Sequence, residues 1–213
     1  MTVDPADHRS RPWRVHALAR DFRLLDAWRL PIEADPARGD TFDEFYRLFV
    51  AGGLETESAA ANALVALRAW LGRILRFEPP GERLPIPGCA ETSVAARLDA
   101  ADRARDRAAA FAPPAERIDF RPIYVFEDEA LVEVSNRTIH ALVHVGWVDA
   151  PGPAGAGRKT AELGVYVKSR GRLSDLYMSL IGPFRHLVVY PAWFASIRRR
   201  WEGRPRRDAQ LSR

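Results

Sequence analysis

The sequence predicts an α+β fold in which an antiparallel, curved sheet wraps around a long C-terminal helix. Three observations lead there. In residues 172–201, Leu173, Leu176, Tyr177, Leu180, Ile181, Phe184, Leu187, Val188, Phe194, Ile197 and Trp201 recur at three- and four-residue steps, one stripe of a helix. No other stretch offers as much apolar surface. Between about residues 121 and 168 the apolar period is two, the signature of strands. Helical patterns precede that run, so strands and helices are segregated along the chain rather than alternating.

Residues 1–14 read as a polar, flexible lead. FRLLDAWRL (22–30) puts Phe22, Leu24, Asp26, Trp28 and Leu30 on one side of an extended chain. It is read as a first strand, although a short helix fits the same residues. Thr41 and Glu44 stand at capping-box spacing before Phe42, Phe45, Leu48 and Phe49, a helix closed by Gly52 and Gly53. A second helix is expected over residues 57–77, then a Pro/Gly-rich loop to Cys89. An exposed Ala/Arg helix is expected over residues 92–110. Candidate strands follow at 121–126, 129–135, 138–148 and 160–168. The final helix contains Pro183, which favours a kink. Residues 15–201 thus form one domain, followed by a basic flexible tail at 202–213.

Charge and cysteine content exclude several classes. Of the net +4, residues 198–213 carry +5, from seven Arg against one Glu and one Asp, leaving the body at −1. A near-neutral body argues against a nucleic-acid-binding surface. The tail, with Trp193 and Trp201 nearby, suits weak contact with an anionic membrane surface, or serves only as a helix terminus. One cysteine, Cys89, permits no internal disulfide and no CxxC metal site. It fits a reducing, cytosolic setting. The N-terminus lacks the apolar core of a signal peptide. Arg185 and His186 at the centre of the C-terminal stripe argue against a membrane span.

The most informative local pattern surrounds Asn136 and Arg137. With those two residues as the turn, cross-strand partners put Val134, Val132 and Ala130 against Ile139, Ala141 and Val143 on an apolar face. On the other face Glu133 meets His140, Leu131 meets Leu142 and Glu129 meets His144. A carboxylate beside an imidazole is half of a general-base arrangement, so Glu133, His140 and His144 are the candidate catalytic residues. The plain alternative is a solvated sheet face carrying cross-strand ion pairs. Four residues along a strand separate His140 from His144 by about 13 Å, too far to share an ion, so no metal is expected. No cofactor is expected either. Arg185 and His186 read either as a polar anchor for a carboxylate or phosphate, or as outward residues beside Asp175 and Arg172. GPAGAGRKT (152–160) resembles a phosphate loop, but strand-like residues follow it where a helix N-terminus would be needed.

The blocks EVSNRTIHALVHVGWV (133–148), GRLSDLYMSLIGPFRHLVVYPA (171–192) and FRLLDAWRLP (22–31) resemble a bacterial branch of the SRPBCC group, the START-like and polyketide-cyclase-like proteins. The resemblance implies a helix-grip fold enclosing an apolar cavity, and a hydrophobic or amphipathic ligand. It implies no reaction. The expected walls are Tyr177, Ile181, Phe184 and Val188 on the helix and Val143 and Trp147 on the sheet, with Arg185 as the polar anchor. Three functions remain open: a binding module, a cyclase or dehydratase using a Glu–His pair, and a structural or membrane-peripheral module with a filled core.

Overall fold

A computed structural model describes residues 1–52, 84–111, 121–135, 139–152, 157–171, 182–183 and 185–205. Its centre is an antiparallel sheet of β1 (Arg23–Arg29), β2 (Arg121–Val125), β3 (Glu129–Ser135), β4 (Ile139–Asp149) and β5 (Lys159–Ser169). The strand order is β1-β5-β4-β3-β2, with every pairing antiparallel. The helices are α1 (Pro5–Arg9), α2 (Val15–Leu18), α3 (Phe42–Gly52), α4 (Ala100–Arg105) and α5 (Tyr190–Glu202). An α+β fold with an antiparallel sheet and a C-terminal helix is therefore present. No helix among the described residues is long and apolar enough to cross a membrane.

Alternation along the strands gives the sheet two buried faces. On one, Val132, Val145, Ala161 and Leu163 pack with Phe45 and Phe49 of α3 and with Trp193, Phe194, Ile197 and Trp201 of α5. On the other, Leu131, Leu142 and Tyr166 lie under Trp13, Val15, Leu18, Ile86 and Val94. We call these the helix face and the strap face. The residues expected as a flexible lead form much of the strap. Asp4 caps α1, Val3 N donates to Ala27 O at 2.9 Å, and His8 and Trp13 are buried.

Two mid-strand glycines make that cover possible. A Cβ on Gly164 would lie 2.5 Å from His8 Nε2, and one on Gly146 would lie 2.7 Å from the Trp13 ring. Glycine inside a strand commonly marks such a close approach.

Four expectations change in register or extent. The β3–β4 pairing is Ser135↔His140 through Glu129↔Gly146, two residues from the register a two-residue turn requires. A shift of two keeps every side chain on its face, because the strand period is two. Asn-Arg lacks the glycine that a tight turn with positive φ favours, and Asn136 and Arg137 themselves lie outside the described residues. β1 does not keep one face: a bulge between Leu24 and Asp26 puts Leu24 on the strap face and Asp26 and Trp28 on the helix face.

Residues 92–110 are not one exposed helix. Ser93 caps a short 3-10 turn at Val94–Arg97, Leu98 is extended, Asp99 opens α4 with a capping box to Asp102, and Asp106 ends it. Serine and aspartate favour caps over helix interiors. Val94, Leu98 and Phe111 are buried, so this segment is part of the sheet's cover.

The C-terminal stripe is interrupted by a π-helical turn at Arg185–Val189. The wider turn leaves Pro191 in the first turn of α5, where its missing N–H costs nothing. It also swings Leu187 outward to 77 % exposure, away from its expected place in the stripe. Of the other stripe residues, Phe194, Ile197 and Trp201 are buried as expected, and those at 173–181 and Phe184 lie outside the described residues. So does the helix expected at 57–77. The first tail residues are packed: Arg204 lies over the Trp201 ring and pairs with Asp40 and Glu44. Lys159 opens β5 and pairs with Asp149, so no helix follows the glycine-rich hairpin.

Candidate functional site

The strap face holds the glutamate–histidine pairs. His140 Nε2 donates to Glu133 Oε1 at 2.7 Å, and His144 Nε2 donates to Glu129 Oε2 at 3.1 Å. The partners are diagonal rather than directly opposed, a distance that long side chains span. Both imidazoles are 0 % exposed, which overturns the reading of a solvated face. What covers them is the chain itself. Glu133 also accepts from the Val94 amide (2.9 Å), and Glu129 from the Arg14 amide (2.9 Å) and the Tyr124 hydroxyl (2.8 Å).

A third pair, absent from the sequence expectations, runs through the strap. His8 Nδ1 donates to the buried Glu162 at 2.7 Å, its Nε2 accepts from Tyr166 OH at 3.0 Å, and that oxygen accepts from His16 Nδ1 at 3.1 Å. His8 and His16 sit in the polar N-terminal stretch, where only the two strand glycines signalled that something packs. Among the described residues no group of three or more His, Cys, Asp or Glu side chains is placed to hold a metal ion.

The electrostatics of this layer are those of a fastener. Burial pushes the Glu129 carboxyl up, but the bonds from His144, Arg14 and Tyr124 outweigh it and hold it below the usual range. Glu133 is likewise pushed up by burial and drawn down further by His140, Ser93 and Val94. Burial lowers His144 more than Glu129 raises it, so the ring is held neutral, with Nδ1 unprotonated and unpartnered.

These shifts share a sign. The unfolded chain binds more protons than the folded one, first at His144 below about pH 6.5 and then at the two glutamates below about pH 4.5. Stability is expected to be full near neutral pH and to fall as pH drops through these values. Urea midpoints measured between pH 8 and pH 4 check this, and a flat profile would contradict the buried pairs.

The helix face holds a different cluster, centred on Asp26. This carboxylate is 8 % exposed, on the edge strand just past the bulge. Tyr190 OH donates to it at 2.7 Å, Arg185 Nη2 lies at 3.1 Å and His186 Nε2 at 2.9 Å. Arg185 and His186 therefore turn to the sheet and do not point outward, because a buried carboxylate requires partners. Asp175 and Arg172 lie outside the described residues. Burial, then the Asp26 charge, raises the Tyr190 hydroxyl well above its ordinary range, so it remains a donor.

Several buried donors on this face have no hydrogen-bond partner among the described residues: Arg185 Nε and Nη1 and Trp28 Nε1 at the cluster, and Trp147 Nε1 on β4 beside Phe42. The Trp28 ring lies 5.6 Å from His186 and 5.3 Å from Tyr190. Of the expected wall residues, Val143 and Trp147 do lie on this face, partly buried against its core, and Val188 is half-buried in the π turn. Tyr177, Ile181 and Phe184 lie outside the described residues. Asp26 and Trp28 were read only as strand residues, since nothing local in FRLLDAWRL reveals the bulge.

A cleft of about 740 Å³ lies elsewhere, between the loop after β1, the β4–β5 hairpin and the end of α5. Its lining is charged: Arg158 pairs with Glu33 at 2.9 Å, Arg198 with Glu202 at 2.7 Å, and Arg204 with Asp40. With charges of both signs paired across it, the cleft presents no single-sign field.

No curated protein and no solved structure matches the chain. A family model described as "Protein of unknown function (DUF2867)" matches residues 18–192, from the strap through all five strands to the start of α5. That span is well over half of the 213 residues, and the chain belongs to this family.

Proposed function

We propose that the protein binds a hydrophobic or amphipathic small molecule between the helix face of the sheet and the C-terminal helix, in the manner of the helix-grip proteins of the SRPBCC group. The observation that supports this is the set of buried donors without acceptors at Arg185, Trp28 and Trp147. An unsatisfied buried donor costs about 1–3 kcal/mol, and native proteins leave few of them. A ligand with a polar end set among aromatic rings would satisfy them.

The test is native mass spectrometry of the purified protein, solvent extraction of anything retained, and titration with a panel of lipids and aromatic compounds. A co-purified molecule, or saturable binding that raises the melting temperature, is the expected result. A protein that is empty and also fails to bind the whole panel would sink this reading and leave a structural module.

Acid–base catalysis by Glu133, His140 and His144 is the second reading, favoured by the 2.7 Å hydrogen bond between Glu133 and His140 and the burial of both imidazoles. It needs the strap to lift away, since a substrate must come within hydrogen-bond reach of the imidazole. The Val94 amide's bond to Glu133 and the Arg14 amide's bond to Glu129, the partner of His144, favour holding the cover in place. The binding reading therefore stands first.

A further inference from the structure

Resting on the binding site proposed above, we infer the class of its ligand: it presents hydrogen-bond acceptors, carbonyl or carboxylate oxygens, to Arg185 and Trp28 on this face. Arg185 Nε and Nη1, Trp28 Nε1 and Trp147 Nε1 are all donors, and none can reverse its role. The acceptor in the cluster, Asp26, is already engaged by Tyr190, Arg185 and His186. An amine or ammonium brought against Arg185 and Trp28 would find donors facing it and a carboxylate with three of its roughly four acceptor sites engaged. A ketone or carboxylate oxygen would meet unpartnered N–H groups.

The indoles sit on separate strands, Trp28 on β1 and Trp147 on β4, with β5 between them. The Asp26 carboxylate offsets the Arg185 charge, so a neutral carbonyl serves as well as an anion, and acceptor character rather than net charge is what is selected.

The test uses the full-length protein and a matched series on one hydrophobic body: an alkane-terminated compound, its ketone, its carboxylic acid and its primary amine, titrated calorimetrically. The ketone and acid are expected to bind at least about tenfold tighter than the amine, since each satisfied donor contributes roughly a factor of five. Trp28→Phe keeps an aromatic ring, though a smaller one, and removes the N–H. It should reduce the ketone-over-amine preference about fivefold, with the alkane compound's affinity in the same variant correcting for the lost ring area. Arg185→Met, checked for folding by its melting curve, should do the same. Equal binding of amine and ketone, or a preference untouched in both variants, would overturn the ligand class while the binding site survives. Failure of every member, the alkane compound included, would overturn the binding reading itself.

Discussion

Replacing Glu129 by alanine is expected to lower the free energy of unfolding by about 3–5 kcal/mol, because two buried donors and a partly buried one lose their acceptor at once. The Tyr124 hydroxyl, His144 Nε2–H and the Arg14 amide all converge on this one carboxylate. Tyr124 and His144 have no exposed surface through which water could replace it. The Arg14 bond is the one that fastens the strap to the sheet, and Arg14 also reaches Asp99 and Asp102 of the neighbouring cover at 2.8 and 2.7 Å. Loss of Glu129 should therefore loosen the strap as well as the sheet. Guanidinium midpoints measure the first effect, and proteolysis within residues 1–22 reports the second. Glu129→Gln keeps an acceptor oxygen and should lose about half as much. A loss below about 1 kcal/mol for the alanine variant would mean that the buried layer is not what secures the strap.

Gly164→Ala is expected to cost about 2–3 kcal/mol, a large penalty for one methyl group. The new Cβ would stand 2.5 Å from His8 Nε2 and 2.7 Å from Cε1. His8 cannot step aside cheaply, since its two ring nitrogens are held by Glu162 and Tyr166. Either those bonds break or the strap lifts. The prediction is sharpest as a cycle. His8→Ala alone removes the bonds and leaves Glu162 with Arg11 and Arg29 at 3.8 and 3.9 Å. In that background the methyl group meets a cavity instead of a ring, so adding Gly164→Ala should cost little. A coupling of about 1–2 kcal/mol between the two sites is expected from chemical denaturation of the four proteins. Simple additivity would show that the strap does not lie on Gly164.

Much of the fold was readable from local pattern. Phe42, Phe45 and Phe49 fall at helical steps after a capping threonine, and α3 forms there with Thr41 Oγ1 accepting from the Glu44 amide. The period-two runs became β2 to β5 within a residue or two of their expected ends. Face assignment survived a register error at Glu133 and His140, because a shift of two cannot move a side chain through the sheet.

Other features had no local signal. The bulge that turns Asp26 onto the helix face depends on how β1 meets β5, and an extended chain read alone alternates without a break. Whether Glu133 and His140 face water or a cover depends on distant residues, Val94 at 39 positions from Glu133 and Phe22 still further from His140. Outward or inward orientation of Arg185 depends on a carboxylate in the first strand.

The sequence by itself determined α3, α5 and β2 to β5, and which side chains of β3 and β4 share a face. Those follow from the backbone periods of 3.6 and 2. The tertiary structure alone decided what lies on each face. It buried the glutamate–histidine pairs under the N-terminal strap and gathered Asp26, Arg185, His186 and Tyr190 at one edge. Burial and charge pairing are properties of contacts between distant segments, and no local period encodes them.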